Sequence, residues 1–126
     1  LIAASGRFML HMLAADQHEL LPRFGLYSGR ERSKFDGLAV RRSASGLPIL
    51  DGCCGWAECR ILTSLDAGDR IVYLADVVEQ ELRPGCIPLR KQEAFAAQPE
   101  DVSILLEEKH RLDGERDRAF IRAFDE

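Results

Sequence analysis

Apolar positions in this chain come in short bursts whose spacing changes along its length. Residues 7–13 (RFMLHML) form a compact apolar run of strand length, which predicts a β-strand buried on both faces. Asp16 followed three residues later by Glu19 has the spacing of a capped helix start, with Leu20, Leu21 and Phe24 on the apolar side. Pro22 lies inside that pattern and predicts a kink or a restart after one turn. Residues 27–36 (YSGRERSKFD) are polar and read as a long loop. Short strands are expected at 38–42 and 48–50, on either side of a turn at 43–46. A bend of small residues (GCCG, 52–55) opens an alternating strand over 55–65. The alternation places Ala57, Cys59, Ile61, Thr63 and Leu65 on the inward face and Trp56, Glu58, Arg60 and Ser64 on the outer one. The sequence DAGD at 66–69 predicts a hairpin turn into a second long strand over 70–82. The first half of that strand is apolar on both faces and the second half has a partly wet face. Arg83-Pro84-Gly85 ends it, and residues 87–90 are read as a last short strand.

The period changes again at Pro99. Pro99, Glu100 and Asp101 suit the first turn of a helix, and Val102, Leu105, Leu106, Lys109 and Leu112 follow helical spacing. Gly114 is expected to interrupt that helix before a second amphipathic segment carrying Ala119, Phe120, Ile121 and Phe124. Such a tail packs on its own domain or forms a dimer contact. The order of strand, helix, several strands and helical tail predicts a mainly β fold, a barrel or sandwich rather than a doubly wound sheet. At 126 residues the chain is one domain, with residues 1–98 as the β portion and 99–126 as its helical extension.

Composition narrows the classes. Apolar residues make up 46% and charged residues 30%, ordinary for a globular domain, and no apolar stretch is long enough to span a membrane as a helix. The first residues faintly resemble a signal peptide, but Arg7 and His11 interrupt the apolar part, so a cytoplasmic location is expected. A net charge of −4 gives no electrostatic case for nucleic acid. Arg23, Arg30, Arg32, Lys34, Arg41 and Arg42 nonetheless cluster, as a solvated loop or a local anion site. The four cysteines contain no C-x-x-C pair and the three histidines are scattered, so no metal site is expected. The cysteines are read as reduced and packed as small apolar residues, with Cys59 pointing inward.

One ordered set of residues says more than these patterns. It runs through Phe8-Met9-Leu10-His11-Met12-Leu13, Phe24, Lys34-Phe35 and Gly46-Leu47-Pro48-Ile49-Leu50, then Trp56-Ala57-Glu58-Cys59, Gly68-Asp69-Arg70 and Pro88-Leu89. In order and spacing this set resembles the central and C-terminal portion of the flavin reductase-like FMN-binding split barrels. That family's pattern places a further segment, with Ser/Thr-rich loops for the flavin phosphate, ahead of the Phe8 strand. The resemblance implies a homodimeric split β-barrel that holds FMN non-covalently. It also implies hydride transfer from NAD(P)H to the flavin, with electrons passed to a monooxygenase or another acceptor. In such a protein the cofactor does the chemistry, and no catalytic side chain is assigned.

The resemblance also marks candidate cofactor-binding residues. His11 stands where the family often carries Asn and would contact the flavin; the alternative is a hydrogen-bonded core histidine. Arg32 and Lys34, with Arg30, would hold the phosphate. Phe35 would wall the ring or anchor its loop. Arg70 stands where the family often carries His; it would hold an anion or pair with Asp69 or Asp66. Trp56 is read as partly exposed and sealing a dimer interface, and Glu58 with Arg60 as a same-face pair able to bridge subunits. Two further readings remain: a flavin-binding module without reductase activity, and a dimerisation or interaction domain acting through the C-terminal helices.

Overall fold

The computed structural model describes residues 2–27 and 33–121. Its strands are β1 (Arg7–Met12), β2 (Val40–Arg42), β3 (Pro48–Leu50), β4 (Gly55–Asp66) and β5 (Ile71–Leu82). Its helices are α1 (Ile2–Ser5), α2 (Leu20–Gly25), α3 (Lys91–Ala96) and α4 (Glu100–Arg118). An antiparallel sheet in the order β1-β4-β5 sits beside a β2-β3 hairpin. Among the described residues the strands do not close into a barrel; the architecture is a β core with helices around it.

β4 pairs with β1 along its first half only, from Arg7↔Arg60 to Met12↔Gly55, and with β5 along its whole length. Beyond Arg60 the two long strands therefore continue as a two-stranded ribbon. The register slips at Val78 and again at Leu62, each leaving one residue without a partner across the ladder. Each such bulge inverts the alternation beyond it. Ile61 faces Ala75 while Thr63 faces Leu74, so Thr63 and Leu65 lie on the face opposite to Ile61. The expected single face from Ala57 to Leu65 is continuous only as far as Ile61.

The assignment of the inner face is corrected as well. Trp56 is 8% exposed and Glu58 1% exposed, so neither lies on an outer face. Cross-strand neighbours share a face, and His11↔Trp56 and Met9↔Glu58 place these side chains with Arg7 and His11. The β2-β3 hairpin covers that face, as the bonds from His11 to Leu50 and from Arg7 to Ser45 show. Trp56 is thus a core residue here. Glu58 pairs with Arg7 across β1, and Arg60 pairs with Asp76 of β5 rather than with Glu58.

α2 packs the main apolar cluster. Leu20, Leu50 and Cys53 are buried together, with Leu13, Phe24, Leu38 and Val40 against them. The expected Asp16–Glu19 cap does not form, because Glu19 makes no capping bond. Gln17 ties the entry instead: its Oε1 accepts the Ala14 N–H at 3.0 Å and its Nε2 donates to the Asp51 carbonyl at 2.9 Å. Pro22 falls in the first turn of this short helix, where its missing N–H breaks no helical bond.

Residues 87–90 form no strand; their only ladder contact is an isolated bridge, Ala14 to Pro88. Gly114 does not interrupt α4, which runs unbroken through it. Ion pairs at helical spacing bracket the glycine, Lys109–Asp113, Arg111–Glu115 and Arg116–Asp113, and offset its poor propensity. Of the expected second segment, Ala119 to Ile121 follow the helix end, and Phe124 lies outside the described residues.

The reduced state expected for all four cysteines is corrected too. Cys54 and Cys86 form a disulfide across a Cα–Cα distance of 5.2 Å, within the range a bridge can span. Cys53 and Cys59 are free and buried, and burial pushes both thiols above their ordinary range.

Candidate functional site

A cavity of about 610 Å³ opens between β1, α2 and the β2-β3 hairpin, with Phe8, His11, Leu21, Phe24, Phe35 and Leu47 among its walls. Its size and apolar lining are those of a small-molecule site. Each wall has a local cause. β1, a strand fixed by β4, contributes Phe8, Met9 and His11. α2 contributes Leu21 and Phe24 from its apolar side. Leu47 is held at the hairpin turn, where Ser43 N–H donates to its carbonyl and its own N–H reaches the Ser43 hydroxyl.

His11 is the polar side chain of this lining. Its Nε2 accepts the Leu50 N–H at 3.1 Å, and burial pushes the imidazole pKa down. The ring is therefore neutral near pH 7, with its proton on Nδ1 as a donor. His11 is hydrogen-bonded, as the core reading expected, and it also lines the cavity. His11→Phe keeps an aromatic ring but leaves the Leu50 amide without its acceptor, so it is expected to cost about 1–2 kcal/mol. Urea unfolding of the variant beside the parent measures this.

Phe35 lies edge-on to Phe24, with ring centroids 5.5 Å apart and planes inclined by 68°. Lys34 Nζ donates to the Phe24 carbonyl at 3.0 Å and stands 5.9 Å from the centre of the Phe24 ring. Lys34 thus fastens its loop to the end of α2 beside the cavity, and Phe35 enters the lining. Arg32 and Arg30 lie outside the described residues. Arg70 sits at the turn between β4 and β5, bonded to the Asp69 carboxylate, and is not among the cavity residues. The remaining basic residues of the cluster close loops. Arg23 donates to the Asp36 carbonyl, Arg42 to the Gly46 carbonyl, and Arg41 pairs with Asp51 and Glu81.

Behind the cavity lies an ion pair missed in the sequence. Arg7 Nη1 donates to Glu58 Oε1 at 2.8 Å and to Ser45 Oγ at 3.1 Å. The Ser43 and Ser45 hydroxyls, together with the Arg7 guanidinium, hold the Glu58 carboxyl below the usual carboxylate range against the opposing effect of burial. A lowered folded pKa means that this carboxylate contributes stability above its ordinary range. That stability is lost as pH falls through the folded value. The signal available in the sequence was weak: an acid in an alternating strand looks like a solvent-facing residue.

A flavin places a flat ring system in an apolar slot and a phosphate among cations or N–H donors. The cavity suits the ring: it is apolar, lined by Phe8, Phe24 and Phe35, and carries one neutral imidazole donor. The described lining contains no lysine or arginine, so it suits the ring portion of the group and not the phosphate.

Comparison with known proteins agrees with this geometry. The family model for the flavin reductase like domain matches residues 1–90. The reductase subunit HsaB of a flavin-dependent monooxygenase from Mycobacterium tuberculosis is 36% identical over 76 residues, covering 60% of this chain and 39% of the relative. The FMN reductase (NADH) SmoA of Agrobacterium fabrum is 33% identical over 78 residues, covering 62% and 42%. A solved structure of a nitrilotriacetate monooxygenase component B homologue from Mycobacterium thermoresistibile superposes with a TM-score of 0.60 at 30% identity, covering 79% of this chain and 61% of that one. The chain spans less than half the length of the curated relatives it matches. The match extends over all of β1 to β5 and the cavity they frame, and the chain belongs to the flavin reductase like domain family.

Proposed function

We propose that this chain is the flavin-holding portion of an NAD(P)H:flavin oxidoreductase that binds FMN non-covalently. The single observation that carries the reading is that the cavity lies within the family match and is walled by residues of its motif set, His11, Phe35 and Leu47. When bound, the flavin would accept a hydride from the nicotinamide. The chain's own residues would do the rest. Phe35 and Phe24 would wall the ring, His11 would donate from Nδ1 to a ring acceptor, and the apolar lining would exclude water. Lys34, with Arg32 two residues before it in the sequence, would supply positive charge toward the phosphate. Arg70, exposed at the ribbon turn, is the proposed contact for an anionic group of the nucleotide.

In this reading β1 to β5 are the chain's share of a split barrel, residues 1–98 form its barrel portion and 99–126 its helical extension. A homodimer would cover the ribbon, where Leu65, Val72 and Leu74 are exposed. A cytoplasmic location, and delivery of electrons to a monooxygenase, complete the proposal; two of the relatives described above carry monooxygenase components in their names. A second reading, a flavin-binding module without turnover, is favoured by the engagement of Arg70 with Asp69. The intact protein with added FMN is expected to consume NADH or NADPH steadily. Flavin binding without nicotinamide oxidation would support the module instead, and absence of flavin binding would overturn both.

A further inference from the structure

We propose that the Cys54–Cys86 pair is a redox-reversible clasp, opened at Cys86 by a thiol reductant, that controls how firmly residues 83–90 are held to the end of β1. The two sulfurs are unequal. Cys54 is buried at the base of β4, whereas Cys86 is half-buried on the turn after β5, with exposed Pro84, Gly85 and Ile87 around it. An incoming thiolate therefore reaches Cys86 Sγ and not Cys54 Sγ. The Arg83 guanidinium donates to Cys86 Sγ at 3.0 Å. A cation on that sulfur stabilises a thiolate more than a disulfide, so it favours the reduced form and makes the bridge easier to open.

The fold around the bridge survives its opening. Cys54 N–H donates to the Met12 carbonyl and Arg83 N–H to the Cys54 carbonyl, both at 2.8 Å. Further along, Ala15 N–H donates to Ile87 at 2.9 Å and Leu89 N–H to Leu13 at 2.8 Å. The first two bonds continue the β1-β4-β5 ladder. The last two belong to the 83–90 segment, which has no strand of its own and relies on the bridge for its covalent anchor. The free cysteines do not compete: Cys53 is packed in the core cluster with Leu20 and Leu50, and Cys59 is buried in β4.

The exchange balances as follows. A reductant thiolate attacks Cys86 Sγ, the S–S bond breaks, and its electron pair leaves on Cys54 Sγ, which takes a proton. A second reductant thiolate attacks the reductant's sulfur in the mixed disulfide and releases Cys86 Sγ beside Arg83. Two reductant thiols are oxidised to a disulfide and two cysteine sulfurs are reduced. A disulfide oxidant reverses both steps.

The test equilibrates the oxidised protein in a series of reduced and oxidised glutathione mixtures, then alkylates and maps the peptides. Cys54 and Cys86 should become alkylated together at a midpoint inside the series, with Cys53 and Cys59 protected, and oxidised glutathione should close the bridge again. Arg83→Ala should shift the midpoint by about tenfold toward more reducing mixtures, with Arg83→Lys close to the parent. On reduction, amide exchange at Ala15 and Leu89 should accelerate by about tenfold or more while residues 55–60 hold theirs. A bridge that stays closed throughout the series, an unchanged midpoint in Arg83→Ala, or equal exchange at Ala15 and Leu89 in both redox states would each overturn the proposal.

Discussion

Replacing Arg7 by methionine is expected to destabilise the protein by about 2–3 kcal/mol near neutral pH. The Glu58 side chain is 1% exposed, and Arg7 is the one cation bonded to it among the described residues. Methionine preserves much of the volume and removes the charge, which leaves a buried carboxylate facing only hydroxyls. Breaking a buried pair in this way costs about 3–5 kcal/mol. Arg7 is 38% exposed, so water moderates the loss and sets the figure below that range. The pH dependence separates this cause from a packing defect. In the parent the carboxyl is held below its usual range, and its stabilisation is lost as pH falls through that lowered value. In the variant the Ser43 and Ser45 hydroxyls still oppose burial, so without the guanidinium the carboxyl pKa rises from the parent's lowered value and the group takes up its proton at a higher pH than in the parent. Between about pH 7 and about pH 3 the deficit between variant and parent should therefore hold level at first and narrow over the lower part, below the ordinary carboxylate range. Urea unfolding across that range measures it, and a deficit that stays constant with pH would show that the lost packing of the arginine stem dominates.

Gly55→Val is expected to cost about 2–3 kcal/mol through overpacking. A Cβ at this position would stand 2.6 Å from Leu82 Cδ2 and 2.9 Å from the Glu81 carbonyl oxygen. Leu82 is exposed and can swing away, but the carbonyl belongs to the strand opposite and cannot move without it. Gly55 pairs with Leu82 at the last rung of the ladder, next to the Arg83–Cys54 backbone bond and the Cys54–Cys86 bridge. A branched side chain would pry β5 from β4 at that rung. The midpoint of thermal unfolding should drop, and Gly55→Ala should show a smaller drop in the same direction. A valine variant as stable as the parent would mean that the ribbon base adjusts freely.

The long strands and their turn were legible because alternation and turn residues are local signals. Residues 48–50 and 55–65 match β3 and most of β4, and the DAGD turn falls where β4 gives way to β5. The bulges at Leu62 and Val78 were not legible, since no residue type marks a ladder slip, and the one at Leu62 splits the predicted face of β4 in two. Glu58 and Trp56 were misplaced for a related reason. Alternation states that two faces differ, and only the β2-β3 hairpin folding over one of them decides which is buried. The disulfide joins cysteines 32 positions apart, and spacing alone does not bring such residues together. His11 and Phe35 were placed by their positions in a motif set, and the fold brings both to one cavity. Arg70 was placed by the same logic and lies at the ribbon turn instead.

Titration of FMN into the intact protein, followed by quenching of flavin fluorescence, tests the central claim most directly when the parent is compared with Leu47→Trp. An indole at position 47 would occupy the space between the hairpin turn and Phe35 without touching the Glu58 pair or the disulfide. The account predicts saturable binding to the parent and an affinity at least about tenfold weaker in Leu47→Trp, with both proteins equally folded by circular dichroism. Equal FMN affinity in the two folded proteins would contradict the assignment of this cavity.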